Sequence, residues 1–281
     1  MTPDDMIWLR VGRVAPDALA EARPALHQAA QLAAAAALTL LPAAPDDTHT
    51  NILWDPEHGG FVGRPLPDGH HVFIDIRWFR AGLRAADGAE TGGFELADLS
   101  LAQALTALAD ILRDAGYAVP DDGLTLPSYD PPLPLSTPLS APDADLTREL
   151  ARWYHDATLL LHQIASAHPE ASDVRGWPHH FDLATLLTLD PDSSGEARSI
   201  NVGLSPGDAA HAAPYLYVTP WPAPDADLPD LPGDATWNRD GWTGALLPAA
   251  AITPLSGSDA QLNAARAFFD AAIDACRTLL L

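Results

Sequence analysis

The chain of 281 residues contains no lysine, and all 15 of its basic residues are arginine. A protein without lysine cannot form the Schiff base of pyridoxal-type catalysis, nor supply the lysine of a phosphate-binding P-loop. Its single cysteine, Cys276, excludes an internal disulfide and a cluster of thiolate metal ligands. These absences remove several enzyme classes from consideration.

Long apolar runs and positive charge are also scarce. The alanine-rich stretch at 29–41 is interrupted by Gln31 and is too short to span a bilayer, so we expect a buried helix there. With 38 acidic and 15 basic residues, the formal charge of −23 repels nucleic-acid phosphates and anionic membranes. We therefore expect no nucleic-acid partner and no membrane partner. The acidic opening of the chain, residues 1–5, does not resemble a secretory signal, and we expect a cytoplasmic protein.

Proline is abundant, and seven of the 27 prolines fall between residues 119 and 145. Such a segment cannot be helical, and its prolines cannot donate hydrogen bonds to a sheet. We interpret 119–145 as a proline-rich connector that is either mobile or packed on the surface. It would join an amino-terminal α+β half at 1–118 to a carboxyl-terminal α+β half at 146–281.

Both halves show the same order of predicted elements. In the first half the patterns predict helices at 18–41 and 99–114 and strands at 50–54, 60–64 and 72–78. In the second half they predict helices at 145–168 and 258–279 and strands at 181–189, 199–204, 215–219 and 243–247. Asp145 is the predicted N-cap of the helix at 145–168.

Two short sequence markers also recur in the second half. Leu26-His27-Gln28 returns as Leu161-His162-Gln163, and His49 with Asn51 returns loosely as His180 with Asp182. We predict an α+β fold in which two similar α-β-β-β-α halves, an internal pseudo-repeat, pack into one body with mostly antiparallel sheets.

The densest polar cluster lies between Trp177 and Asp182. If this segment is a strand, His180 and Asp182 share one face while His179 points the other way. We predict His180 and Asp182 as catalytic residues, either as a general base oriented by a carboxylate or as metal ligands. With His211 they follow the order of a non-haem iron facial triad. Whether a metal binds, and which cofactor is used, stays open.

A ligand site is the second interpretation of the same region. If the duplication holds, His49 and Asn51 face the predicted catalytic pair across a pseudo-twofold axis. We predict His49, Asn51, Trp177, His179 and Tyr217 as ligand-binding residues, since aromatic and polar side chains together suit a small organic molecule.

The pattern Gly-x-Ser-x-Gly at Gly203, Ser205 and Gly207 does not indicate a serine hydrolase. The residue after the nucleophile must donate its backbone N–H to the oxyanion. That residue is Pro206, which has no N–H. We expect a turn here instead.

These motifs carry a family resemblance. The runs 177–183 and 203–208 match the signatures Trp-Pro-x-His-Phe-Asp-Leu and Gly-Leu-Ser-Pro-Gly-Asp. On them the chain resembles an uncharacterised bacterial family with a domain of unknown function. The resemblance extends over most of the chain and implies a layout but no mechanism, cofactor or partner.

The sequence therefore favours a protein that binds a small molecule in a polar and aromatic cleft between two pseudo-repeated halves. One alternative is an enzyme that depends on a metal or on the His–Asp pair. The other is a non-catalytic interaction protein whose acidic surface meets a basic partner. The oligomeric state stays open.

Overall fold

The fold is known from a computed structural model that describes residues 6–190 and 197–280. Helices make up 35% and strands 23% of the chain, and the described strand pairings are antiparallel. The prediction of an α+β fold with mostly antiparallel sheets is thus confirmed. The acidic opening at residues 1–5, on which the expected cytoplasmic location partly rests, lies outside the described residues.

The chain divides into two compact units. The first unit consists of residues 21–151 and 176–181. The second unit consists of the described parts of 1–20, 152–175 and 182–281. These units are defined by spatial contacts, whereas the predicted division at residues 118 and 146 concerns the sequence, so that division stays a prediction.

The first unit is a meander of strands with two helices. Its helices are α1 (Leu19–Leu40), of which the first two residues belong to the second unit, and α2 (Leu101–Asp114). Its strands, in chain order, are β1 (Ile52–Asp55), β2 (Gly60–Gly63), β3 (His71–Asp75), β4 (Arg80–Arg84) and β5 (Glu90–Glu95). These strands pair in chain order, and the short β6 (Arg175–Trp177) pairs with the free edge of β1. Helix α2 packs against β4 and β5. Strands β4, β5 and β6 were not predicted.

The alanine-rich part of α1 is buried on all sides. Residues 29–37 are each at most 3% exposed, which confirms the prediction of a buried helix. The small side chains let the sheet approach closely, since a Cβ added to Gly63 of β2 would lie 3.3 Å from the Cβ of Ala33. Neither α1 nor any other helix in the described part of the chain is both long enough and apolar enough to cross a membrane.

The proline-rich connector at 119–145 belongs to the first unit and is packed within it. The backbone N–H of Thr125 donates to the hydroxyl of Thr39 on α1 at 2.8 Å. Further along, the backbone N–H of Leu139 donates to the carbonyl of Leu99, just before α2, at 2.9 Å. Of the two alternatives, a mobile linker and a packed segment, the structure has the second.

The second unit has a similar composition of elements. Its helices are α3 (Ala144–Ala167), of which residues 144–151 belong to the first unit, α4 (Ala249–Ile252) and α5 (Ser258–Leu280). Its strands are β7 (Asp182–Leu189), β8 (Arg198–Ser205), β9 (Tyr215–Trp221), β10 (Thr236–Asn238) and β11 (Gly244–Pro248). They pair in the order β7, β8, β9, β11, β10, and α5 packs on β8, β9 and β11. Only β10 and α4 were not predicted.

The N-terminus of α3 differs from the prediction. The carboxylate oxygen Oδ1 of Asp143 accepts hydrogen bonds from the backbone N–H groups of Asp145 at 2.7 Å and Leu146 at 3.4 Å. Asp143 is therefore the N-cap, and the assignment of this role to Asp145 was wrong. Both aspartates suit a cap chemically, and only the position at which the backbone enters the helix separates them.

Candidate functional site

The segment from Trp177 to Phe181 is a tight turn. The backbone N–H groups of His180 and Phe181 both donate to the carbonyl of Trp177, at 3.2 and 2.7 Å. His180 therefore lies exposed in the turn, while Asp182 begins β7 and is 8% exposed. The prediction that His180 and Asp182 share a strand face was wrong, because side chains alternate only in extended backbone.

Phe181 holds the turn in an unfavourable conformation. Its φ of 58° lies in the left-handed region, which costs a side-chain-bearing residue about 1–2 kcal/mol. Its ring is 1% exposed, stacks on the His27 ring at 5.3 Å between centroids, and packs against Phe61 at 5.1 Å. Packing of the ring therefore keeps the backbone of the turn in place.

His27 on α1 also binds the backbone of the turn. Its Nε2 lies 2.7 Å from the carbonyl oxygen of Pro178, and since a carbonyl only accepts, Nε2 carries the hydrogen. Burial lowers the pKa of His27 to about 4, against the effect of that hydrogen bond and with a smaller contribution from the charge of Arg23. His27 is thus a neutral donor at pH 7.

Gln31 joins α1 to the turn and to the connector. It is 1% exposed, and its Nε2 donates to the carbonyl of Pro178 at 2.8 Å and to that of His27 at 3.1 Å. Its Oε1 accepts from the hydroxyl of Tyr129 at 2.7 Å. Burial raises the pKa of Tyr129, so the phenol remains a donor and its ring is fixed beside the turn.

Gln28 holds the connector in a second way. Its Nε2 donates to the carbonyl of Leu133 and its Oε1 accepts from the backbone N–H of Leu133, both at 3.0 Å. The Gln28 side chain is fully buried. Its two hydrogen bonds fix the backbone of the connector at Leu133 to α1.

A cleft of about 370 Å³ opens in the first unit beside the turn. Ala34 and Leu38 of α1 contribute part of its apolar lining. The rings of Tyr129, Trp177 and His179 line it from the connector and the turn. Its size is within the range of small-molecule sites, and its lining combines apolar, aromatic and polar groups.

The ring of His179 lies close to the two other rings of the cleft and to that of His180. The His179 ring centroid lies 5.7 Å from Tyr129, 5.6 Å from Trp177 and 4.2 Å from His180. Desolvation lowers the pKa of His179 to about 4, and the charge of His180 adds to this effect, whereas the carboxylate of Asp47 opposes it. His179 therefore presents a neutral imidazole at pH 7.

An acidic loop before β1 forms another part of the lining. Asp46 and Asp47 line the cleft, and Asp47 has a left-handed φ of 56°. Oδ1 of Asp46 accepts from the backbone N–H and the hydroxyl of Thr48, at 3.3 and 2.7 Å. His49 is buried and its Nδ1 accepts from the backbone N–H of Ala44 at 3.2 Å, so His49 holds the shape of the loop and does not line the cleft.

Asn51 follows this loop and is 1% exposed. Neither its amide nitrogen nor its amide oxygen has a hydrogen-bond partner among the described residues. A buried amide without partners is unusual and calls for an explanation, which a bound water or ligand could supply.

Tyr217 and Asp182, two other predicted site residues, lie together in the second unit. The Tyr217 hydroxyl donates to Oδ2 of Asp182 at 2.5 Å, and burial together with that carboxylate raises the pKa of Tyr217. Gly203 makes the room, because a Cβ there would lie 2.5 Å from the Tyr217 hydroxyl and 2.5 Å from the carbonyl of Leu183. The Tyr217 hydroxyl is thus bound within the second unit, by Oδ2 of Asp182.

A second tyrosine–aspartate pair lies on the same strand. Tyr215 and Tyr217 lie on one face of β9 with ring centroids 6.2 Å apart. The Tyr215 hydroxyl donates to Oδ2 of Asp208 at 2.5 Å, and Oδ1 of Asp208 accepts from the backbone N–H of His211 at 2.7 Å.

No group of three His, Cys, Asp or Glu side chains within 6–190 and 197–280 could hold a metal ion. The facial triad suggested by the order of His180, Asp182 and His211 is therefore not assembled in this part of the chain. Gly203 and Ser205 belong to β8, and directly after this strand the hydroxyl of Ser205 accepts from the backbone N–H of Gly207 at 3.1 Å.

Comparison with family models, curated proteins and solved structures found no match. The resemblance to a bacterial family with a domain of unknown function therefore stays a prediction. So do the roles assigned to individual site residues.

Sequence reasoning did not identify three residues that hold or line the cleft region, namely Gln28, Gln31 and Tyr129. One signal was present: an amide within an otherwise apolar, buried run must find partners in the fold. Gln31 stands in such a run, which could have marked it as a structural hydrogen-bonding residue. Nothing in the sequence shows that Tyr129 would be its partner.

Proposed function

We propose that the protein binds a small organic molecule in the cleft of the first unit. The observation that carries this proposal is a cleft of about 370 Å³ lined by the rings of Trp177, Tyr129 and His179. Of the residues predicted from sequence to bind a ligand, Trp177 and His179 line it. The proposal places the site within one unit, beside the turn at 177–181.

The support behind the rings favours binding over simple packing. Tyr129 is held through Gln31, and the turn that carries His179 is held through His27 and the buried ring of Phe181. A site that is ordered before the ligand arrives loses less conformational entropy on binding. Left-handed backbone at Phe181 and Asp47, both beside the cleft, fits the tendency of functional sites to contain strained residues.

The pseudo-repeat belongs to the same proposal. Support comes from the order of elements, since α1, five strands and α2 are matched by α3, the five strands β7 to β11 and α5. The strand order departs from an exact copy, because β1 to β5 pair consecutively whereas β11 lies between β9 and β10. We propose a duplication followed by divergence, in a cytoplasmic protein.

A search for ligands by thermal shift tests the binding proposal. A broad metabolite library is scanned against the full chain, and binding raises the melting temperature by mass action. Each hit is repeated on Trp177→Ala, which removes a ring of the cleft, and on Trp78→Ala, which removes a ring that is 64% exposed and does not line the cleft. We expect hits that Trp177→Ala abolishes and Trp78→Ala preserves. A flat scan, or hits insensitive to Trp177→Ala, would overturn the proposal.

A further inference from the structure

We propose that the ligand is a small organic cation, with its ammonium group at the carboxylate of Asp47 and its apolar body against Trp177 and Tyr129. This inference rests on the proposed function, because it names the ligand class for the same cleft. It follows from the charge, the free hydrogen-bonding capacity and the rings of the lining.

The lining of the cleft carries negative charge. Two carboxylates, Asp46 and Asp47, line it, and no arginine is present among its described lining residues. The chain has no lysine that could neutralise them. His179 stays neutral at pH 7, because desolvation lowers its pKa to about 4. Asp46 and Asp47 are exposed, so water screens their charge, but its sign favours a cation over an anion in the cleft.

The two carboxylates of the cleft differ in their hydrogen-bond partners. Oδ1 of Asp46 is used within the loop, where it accepts from the backbone N–H and the hydroxyl of Thr48. The Asp47 carboxylate has no hydrogen-bond or ion-pair partner among the described residues, although its residue is held in left-handed backbone. Asp46 thus shapes the loop, and Asp47 can accept the N–H groups of a ligand in charge-assisted hydrogen bonds.

The cleft also has an aromatic lining. The ring centroids of Trp177 and Tyr129 lie 5.6 and 5.7 Å from that of His179. The faces of tryptophan and tyrosine attract cations, and the apolar side chains of Ala34 and Leu38 suit a hydrocarbon body. An aromatic or aliphatic amine can interact favourably with the rings, the apolar side chains and the carboxylate. An anion of the same size would be repelled by the carboxylate of Asp47.

Calorimetric titration of the full chain with three matched probes tests this inference. Phenethylamine is the cation, 2-phenylethanol is the neutral analogue and phenylacetate is the anion; each has a benzene ring and a short arm. We expect phenethylamine to bind at least tenfold more tightly than 2-phenylethanol, and phenylacetate to bind most weakly. Equal or tighter binding of the neutral or anionic probe would overturn the proposal that the ligand is a cation. The proposal that the cleft binds a small molecule would remain.

Variants then locate the effect. Asp47→Asn should weaken phenethylamine about five- to tenfold and leave 2-phenylethanol unchanged. Asp114→Asn removes the same charge at an exposed position outside the cleft lining, and should change both affinities less than twofold. Equal losses in the two variants would mean that the amine responds only to the overall charge of −23, which would overturn the inference.

A pair of substitutions at Leu126 covers the case in which Asp47→Asn disturbs the loop. Leu126 lines the cleft and is 38% exposed, so a charged side chain there is tolerated without burial. Leu126→Glu should tighten phenethylamine and Leu126→Arg should weaken it, with opposite effects on phenylacetate. No difference between these two variants would overturn the inference. If none of the three probes binds up to millimolar concentration, the inference fails, and the proposed function fails only if the metabolite scan is also flat.

Discussion

The same tripeptide, Leu-His-Gln, stands on α1 and on α3 and has different roles in the two helices. Both leucines, Leu26 and Leu161, are fully buried. On α1 the glutamine, Gln28, is fully buried and binds the backbone of the connector. On α3 the glutamine, Gln163, is exposed and its Oε1 accepts from the side chain of Arg266 at 2.9 Å.

The two histidines of the tripeptide, His27 and His162, also differ in their surroundings. His27 stacks on Phe181, donates to the carbonyl of Pro178 and has its pKa lowered to about 4 by burial. Burial also lowers the pKa of His162, but there the nearby charge of Asp173 opposes the shift. The same tripeptide therefore holds the proline-rich connector when it lies on α1, whereas on α3 its glutamine is exposed to solvent. A local motif does not decide between these uses.

The largest effect is expected from His27 at acidic pH. Its pKa lies below the usual 6.5, so its neutral form stabilises the fold above pH 6.5, and this stabilisation is lost as the pH falls through about 4. The loss corresponds to about 3 kcal/mol of unfolding free energy. In urea unfolding, His27→Gln should shrink the stability difference between pH 7 and pH 4 by that amount. His162→Gln should shrink it less, and equal slopes for His27→Gln and the parent chain would contradict the burial of His27.

The two glutamines give the next comparison. Gln28→Ala removes both hydrogen bonds to Leu133 and should cost about 2 kcal/mol. Gln163→Ala, at an exposed position, should cost less than about 0.5 kcal/mol. Urea unfolding measures both costs, and hydrogen exchange should show faster exchange of the Leu133 amide in Gln28→Ala only. Similar costs for both variants would mean that the connector is not held by Gln28.

The side-chain amides of Gln28 and Asn51, both in the first unit, give a third comparison. Gln28 uses both of its polar ends, whereas Asn51 uses neither among the described residues. Asn51→Leu should therefore stabilise the ligand-free protein by about 1 kcal/mol, while Gln28→Leu destabilises it. Thermal unfolding measures both. If Asn51→Leu were as destabilising as Gln28→Leu, the Asn51 amide would have partners in solution.

The smallest effect concerns the start of the helix that carries the second tripeptide. Asp143→Ala removes the N-cap of α3 and should cost about 1 kcal/mol. Asp145→Ala removes a carboxylate of the first turn and an exposed ion pair with Arg148, and should cost a few tenths of a kcal/mol. Circular dichroism during thermal unfolding checks the order, and the reverse order would restore Asp145 as the cap.

Much of the fold could be predicted because apolar residues recur with a clear period in helices, and because β-branched residues are concentrated in strands. The predicted helix at 18–41 became α1, and the predicted strand at 199–204 became β8. The strands β4 and β5 were not predicted because both contain glycine and charged residues and few β-branched or aromatic residues. Their pairing depends on neighbours that the local sequence does not contain.

The candidate site was less accessible to prediction. Trp177 and His179 were identified because aromatic and imidazole side chains stand out in a short polar run. Tyr129 was not, because its importance arises from a hydrogen bond to Gln31 and from a cleft that joins residues far apart in the chain. The strand interpretation of 177–181 failed because a left-handed phenylalanine cannot be foreseen from residue type.

The most direct test of the account is a nitrogen-15 NMR titration of the eight tryptophan indole N–H signals with phenethylamine. Loss of one signal in Trp177→Phe assigns that residue, and the same approach assigns the exposed Trp78 and Trp221. The account predicts a saturable shift of the Trp177 signal while the signals of Trp78 and Trp221 stay in place. An unmoved Trp177 signal at saturating amine, or shifts confined to Trp78 and Trp221, would contradict it.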